Sequence, residues 1–355
     1  MRSKVATGWG TALAVIGVLC LVAAAVLAWV VVPDRKQLPA DTDTTRTFDG
    51  TARALLNPTA VATGDMRNAL LTNVPVTAER TVKVNATDGD TAQVTDSRTV
   101  AANGQPVGQT EVTYAVDRTT LQAAPPASGW TVTPHEGLTV SWPIGAEKKD
   151  YTAWANETQT TTTARYIREE EKGGVNTYVY QADVEEAPIK DEAVLSALPP
   201  ALPVTALGAL SAVLPIPDEQ KAQLAQALPS LSDPIPLTYT YESTSTVWVE
   251  PTTGVVIDNE RNETRKAGIG GPGGRVLATV PIYSVDTSFT DQSVTDAASD
   301  ANDAKNQIQT YGTTLPWILG VLGVVLLIVG IVLIVMGMRR SRSGPTTLPG
   351  QTSPS

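Results

Sequence analysis

The sequence is poorest in the side chains that carry most enzyme chemistry. Its single cysteine, Cys20, and single histidine, His135, exclude a disulfide framework, a Cys–His nucleophile and a zinc site built from His and Cys clusters. A Ser–His–Asp arrangement would have to use His135, which stands in the turn-like Pro134-His135-Glu136-Gly137, and there is no Gly-x-Ser-x-Gly elbow to supply the serine. The glycine-rich stretch 268–275 (GIGGPGGR) reads as a flexible loop without the Gly-Lys-Ser/Thr ending of a phosphate loop. No catalytic residue, metal or cofactor is expected. Charge is missing locally too: residues 8–32 and 310–338 contain no Asp, Glu, Lys or Arg.

Within those stretches, residues 12–32 and 315–338 are almost continuously apolar. Each is long enough to cross about 30 Å of hydrocarbon at about 1.5 Å per helical residue. The part between them, residues 33–314, must fold in water. A simple soluble enzyme, a multi-span transporter and a disordered chain are therefore excluded. Arg2 and Lys4 precede the first run, and Arg339, Arg340 and Arg342 follow the second. Positive flanks remain on the cytoplasmic side. The expected plan is a cytoplasmic tail (1–11), a transmembrane helix (12–32), an extracytoplasmic domain (33–314), a second transmembrane helix (315–338) and a cytoplasmic tail (339–355), in the plasma membrane. The first run exceeds the 7–15 apolar residues of a signal peptide and is expected to stay as an anchor, a cleaved signal being the alternative.

The net charge of −10 falls on the middle of the chain. That argues against nucleic acid, or anionic headgroups held by charge alone, as partners. Trp9, Trp29 and Trp317 sit at the span ends, where amphipathic rings favour the headgroup layer. Small residues recur every seven positions, at Gly10, Gly17 and Ala24 in one span and Gly323, Gly330 and Gly337 in the other. Such stripes let helix backbones approach closely, and they predict that the spans pack on each other or on a partner through these faces.

The middle reads mainly as strands. Residues 76–84 and 91–100 alternate apolar and polar around an Asp-Gly turn, which is a hairpin signature. Similar runs follow at 108–116, 137–142, 160–167, 175–184, 237–250 and 255–263. Period-2 alternation gives one wet and one buried face, hence an antiparallel sheet. Residues 187–236 break the pattern: rich in Ala, Leu and Pro, they read as short helices packed on the sheet, or as an apolar flap over a lipid-sized cavity, with Leu207, Leu210 and Leu214 as candidate lining. Residues 291–311 carry Val294, Ala297, Ala298, Ala301, Ala304 and Ile308 at helical spacing and read as a stalk. Asp296, Asp300 and Asp303 share one of its faces and read as solvated.

One pattern occurs twice. Asp117 precedes Arg118-Thr119-Thr120, and Glu250 precedes Pro251-Thr252-Thr253, each acid placed to accept turn amides. The repeat suggests two similar hairpins and two related sheet halves, about 41–150 and 151–290. The second copy also resembles the hairpin of periplasmic lipoprotein-carrier folds.

Residues 38–44, His135-Glu136-Gly137-Leu138, the stretch from Trp142-Pro143-Ile144 through Tyr151-Thr152-Ala153-Trp154, and the hairpin around Trp248 together resemble the actinobacterial two-span envelope proteins labelled the porin PorA family. Trp142-Pro143-Ile144 stands where members tend to have Phe-Pro-Phe, and Trp154-Ala155 where they tend to have Trp-Asp. The resemblance implies an envelope protein, with some members linked to lipoglycan maturation. The porin label itself conflicts with the residues: a membrane β-barrel needs a lipid-facing apolar row and aromatic girdles, whereas here two apolar helices do the anchoring. The helix–ectodomain–helix plan is also like that of class B scavenger receptors, by topology alone.

The expected fold is a mainly β ectodomain, a curved antiparallel sheet or barrel with packed short helices, between two transmembrane α-helices. The leading functional expectation is a non-catalytic envelope-biogenesis protein whose ectodomain binds or guides a lipid or lipoglycan intermediate. Trp142, Tyr151 and Trp154 would line its mouth, with ordinary core packing as the structural alternative. A scaffold for envelope glycosyltransferases is the second expectation, and an enzyme a remote third.

Overall fold

The computed structural model describes residues 2–31, 36–57, 60, 63–65, 68–210, 214, 216–314 and 315–342, with the side chains of 2–7, 209, 337 and 340–342 left out of the description. Two compact units divide the chain: residues 1–36 together with 304–355, and residues 37–303. The first unit contains the N-terminal helix Arg2–Val26, which widens into a π-turn at Leu27–Val31, and the C-terminal helix Leu315–Arg342. Both are long and apolar enough to cross a membrane.

The second unit is one antiparallel sheet. Its strands are β1 Asp43–Leu56, β2 Leu70–Leu71, β3 Val74–Asp88, β4 Thr91–Ala102, β5 Gln105–Asp117, β6 Tyr151–Ala155, β7 Thr160–Lys172, β8 Val175–Pro188, β9 Ala201–Leu202, β10 Ile235–Val249, β11 Val256–Gly270 and β12 Val276–Phe289. The hydrogen-bonded order is β5-β4-β3-β1-β12-β11-β10-β8-β7-β6, with β2 added to β1 and β9 to β10. The proposed halves thus share a single sheet, joined where β1 pairs β12. The sheet is curled into a half-barrel. Arg98 on β4 lies four strands from Glu263 on β11, roughly 19 Å in a flat sheet, yet their side chains meet at 2.7 Å.

The concave face is layered along the strand direction. At one end Val84, Ala92, Val94, Tyr114, Tyr180 and Val249 form an apolar layer with the segment between β5 and β6. At the other end Ile235, Ile269, Ala278 and Val280 are covered by the segment between β8 and β10. That segment contains helices α1 Glu192–Ser196, α2 Val204–Leu210 and α3 Asp218–Ala227. Charged residues lie between the two layers. Helix α4, Asp291–Gln309, packs Ala297 and Ala301 against Val179, Trp248 and Ile257 on the other face, and its Asp300 pairs with Arg46 at 2.5 Å.

Several expected strands lengthen, and three elements differ from the sequence reading. The 137–142 run is not a strand. Leu138, Val140 and Trp142 do point into the core, but the carbonyls of Thr139 and Val140 accept from the Arg80 guanidinium at 3.2 Å instead of entering a ladder. Part of the expected loop 268–275 is the end of β11, where Gly268 pairs Thr238 and Thr279. The Asp117 turn is not followed by a second ladder strand; only the bridge Val116 to Ala123 forms before the chain turns irregular. Asp300 is also more than a solvated stalk residue, because it answers Arg46.

Candidate functional site

In the first unit the two glycine stripes face each other. A Cβ at Gly10 would lie 2.8 Å from the Gly330 carbonyl oxygen, and one at Gly17 2.7 Å from that of Gly323. The helices are antiparallel and in backbone contact, so anything larger than hydrogen at these positions forces them apart. Ala24 continues the stripe and is partly buried. Gly337 lies in the C-terminal helix, and its side-chain surroundings are outside the description.

In the second unit the six residues singled out as lipid-lining fall into two groups. Trp142, Tyr151 and Trp154 belong to the aromatic layer. The Trp142 ring stacks on Tyr180 with centroids 4.1 Å apart, and Tyr151 approaches both edge-on at 5.5 Å and 5.7 Å. Tyr180 donates its hydroxyl to the Glu147 carbonyl at 2.6 Å, and Tyr151 accepts from the Glu147 N–H at 2.8 Å. Burial pushes the Tyr180 phenol well up from its ordinary value. Trp142 and Tyr151 are thus packed on each other inside this layer, with Trp154 partly buried at its edge.

Leu207 and Leu214 are buried at the far end with Ile216 and Leu224, while Leu210, Leu202, Val204, Leu228 and Leu231 pack around them half-exposed. The prolines of this segment break it into pieces too short for stable helices of their own. It forms a cap held by apolar contact, with ties at β9 on β10 and at Tyr239, whose hydroxyl donates to the Pro199 carbonyl.

Between the layers runs a belt of charge that the sequence reading passed over. Arg261, Glu263 and Arg265 occupy alternate positions of β11 and so share its concave face, in line with Ala267 and Ile269. Glu263 is almost fully buried and accepts from Arg98 at 2.7 Å and from the hydroxyls of Tyr241 and Tyr283 at 3.2 Å. Arg261 donates to the Tyr241 hydroxyl at 2.7 Å. Burial alone would raise the Glu263 pKa, but Arg98, Arg261 and Arg265 outweigh it and hold the carboxyl far below the usual range. Arg80 lies directly across from Arg98 and is taken up by Asp96 at 2.7 Å, so the like charges do not face each other unpaired. Arg265 sits between its cross-strand neighbours Tyr241 and Tyr283, its guanidinium 4.8 Å from the Tyr283 ring centre, and its nearest acid, Glu157, is 3.6 Å away. The Arg265 Nε is buried without a hydrogen-bond partner, whereas the Arg261 Nε lies 3.2 Å from a Glu263 carboxylate oxygen.

His135 packs edge-on to Tyr114 at 4.8 Å, and burial lowers its pKa. Asp117 accepts from Thr119 and Thr120, and Glu250 from Thr253, so both repeated acids do the same turn-closing work. Among the described residues no three of His, Cys, Asp and Glu are grouped to hold a metal ion.

A curled antiparallel sheet carried in one chain with two apolar helices long enough to cross a membrane defines a β-rich protein with two candidate membrane spans. The chain belongs to the Porin PorA family, which it matches over residues 9–332. A curated relative, Porin PorA of Corynebacterium resistens, is 22% identical over 245 residues, 58% of this chain and 57% of that protein. The chain thus spans little more than half the length of that relative. Among solved structures, an acyl-CoA thioesterase II of Mycobacterium marinum is 10% identical with a TM-score of 0.12, covering 71% of this chain and 81% of that one. A MaoC-like dehydratase is 11% identical with a TM-score of 0.12, covering 70% and 75%. Likenesses this faint carry no argument about fold or activity.

Proposed function

We propose that this protein is a non-catalytic envelope-biogenesis factor of the plasma membrane, both termini cytoplasmic, whose extracytoplasmic sheet binds or guides a lipid or lipoglycan intermediate. The observation that carries this reading is the cap over β10, β11 and β12. Its leucines line the concave side of a curled sheet, and half of them are only partly covered. An apolar surface roofed by short, proline-broken helices is a place where acyl chains displace contacts of the same kind at little cost.

A transmembrane pore built by the sheet is a poorer fit. The exposed positions of β3 include Thr77 and Glu79, and those of β7 include Arg165, Glu169 and Glu171, where a lipid-facing wall would be apolar. The test is native mass spectrometry of the full chain extracted in mild detergent. A retained lipid or lipoglycan mass is expected, together with no conductance in planar bilayers. Lipid-free protein that retains another envelope protein would instead support a scaffold, and a steady conductance would overturn the proposal in favour of a pore.

A further inference from the structure

The charge belt is unlike an ordinary buried ion pair. Glu263 is saturated, accepting from Arg98, Tyr241 and Tyr283, with Arg261 beside it. Arg261 holds its Nε 3.2 Å from a Glu263 carboxylate oxygen, but the Arg265 guanidinium keeps a buried Nε–H donor with nothing to give it to. A buried charged donor left unmade is costly, so such a group calls for an acceptor that belongs there. Glu157 does not fill the role: at 3.6 Å from Arg265 it neutralises charge at a distance beyond a good hydrogen bond. The belt is not sealed, since the side chains of Arg261 and Arg265 retain 31% and 20% exposure. Arg265 is also preorganised, its plane held beside the Tyr283 ring by ladder neighbours on both sides.

Position adds the second half of the argument. Along β10 and β11 the belt is followed by Tyr239 and Ala267, and then by Ile235, Ile269 and the leucine cap. One concave surface therefore offers guanidinium forks and, next to them, an apolar bed. We propose that the Arg261–Arg265 belt recognises a phosphate-class oxyanion, with Arg265 as the principal donor, and that the adjoining cap receives the apolar part of the same molecule. This rests on the reading that the sheet binds an amphiphile. The acidic exterior of the domain repels anions at long range, so recognition comes from directed hydrogen bonds to a desolvated anion inside the sheet.

The proposal is tested by calorimetry on the full chain in an uncharged detergent, with three probes: inorganic phosphate, dihexanoyl phosphatidic acid and uncharged dihexanoyl glycerol. Phosphatidic acid should bind about tenfold tighter than the diacylglycerol, with inorganic phosphate competing. Arg265→Met should erase that preference while leaving diacylglycerol binding unchanged. Should that variant fail to fold, Arg265→Lys, which keeps the charge and loses the fork, should cut the preference by most of its size. Equal affinity for both amphiphiles, unchanged in the variants, overturns the anion site and leaves the lipid reading standing. Binding of inorganic phosphate with neither amphiphile supports the anion site and overturns the lipid reading. Binding of none of the three overturns both.

Discussion

The concave face of the sheet is closed at its two ends by inserts of opposite character. The insert between β5 and β6 is tied down by polar contacts: Arg80 to the Thr139 and Val140 carbonyls, Thr133 N–H to the Thr113 carbonyl, Tyr180 to the Glu147 carbonyl. Its interior is aromatic, and ring pairs of this geometry add about 0.5–1.5 kcal/mol each beyond burial. The insert between β8 and β10 meets the sheet chiefly through Leu, Ile and Val side chains, several of them half-exposed. One end is interlocked and directional; the other rests on contacts that any apolar group can replace. A surface that must admit a ligand is drawn from the second kind.

That contrast is open to direct attack, beginning with the largest effect. Trp142→Ala removes the ring that stacks on Tyr180 and should cost about 3–5 kcal/mol, read as a shift of the whole denaturation curve of the full chain in detergent. If it changes nothing beyond local exchange near residue 142, the two ends are alike.

Glu263→Gln probes the belt between them and should cost about 3 kcal/mol at neutral pH by leaving three guanidiniums without their shared anion. The same variant changes the acid response. The folded pKa of Glu263 is depressed below its ordinary 4.5, so its contribution is complete above that pH and is lost as pH falls beneath it. Unfolding profiles from pH 5 downward should therefore be flatter in the variant, and identical slopes would show that the pairing is not what stabilises the belt.

Leu207→Ala should cost about 2 kcal/mol, expressed chiefly as faster hydrogen exchange in α2 and α3 with the aromatic layer unaltered. Uniform acceleration across the sheet would join the cap to the core as one cooperative piece. The smallest effect belongs to the helix pair: Gly323→Ile should lower the thermal stability of the membrane helices by about 1–2 kcal/mol while the sheet unfolds as before.

Much of the sheet was legible because half of it is wet. β3 and β4 alternate cleanly around Gly89, and β8 and β10 place apolar residues at every second position over most of their length. β12 was hidden by Pro281, which argues against a central strand. The structure accommodates it at a bulge, where the register passes from Arg265–Tyr283 to Lys266–Pro281. β1 was hidden because the row that carries Phe48 also carries Arg46, Gly50 and Ala52 in place of the usual Val or Ile. The glycine stripes were legible as heptads, and the structure brings four of those residues face to face. The belt was half legible: charges at alternate positions of β11 that run on into Ala267 and Ile269 signal an inward-facing polar row. Its closing partner, Arg98, is 165 residues away, and only the curl of the sheet brings it within reach.

The membrane helices have a consequence for a chain whose one cysteine is Cys20. Gly10 meets Gly330 and Gly17 meets Gly323, so the pairing of these helices holds the two ends of residues 33–314 together. For the unfolded domain that contact is a clasp on a long loop. In the chain-entropy picture, closing a loop of that length removes about 5 kcal/mol of disorder from the unfolded state. Two glycine pairs thereby perform the office that secreted domains usually assign to a disulfide, and they do so without a sulfur that the cell could reduce.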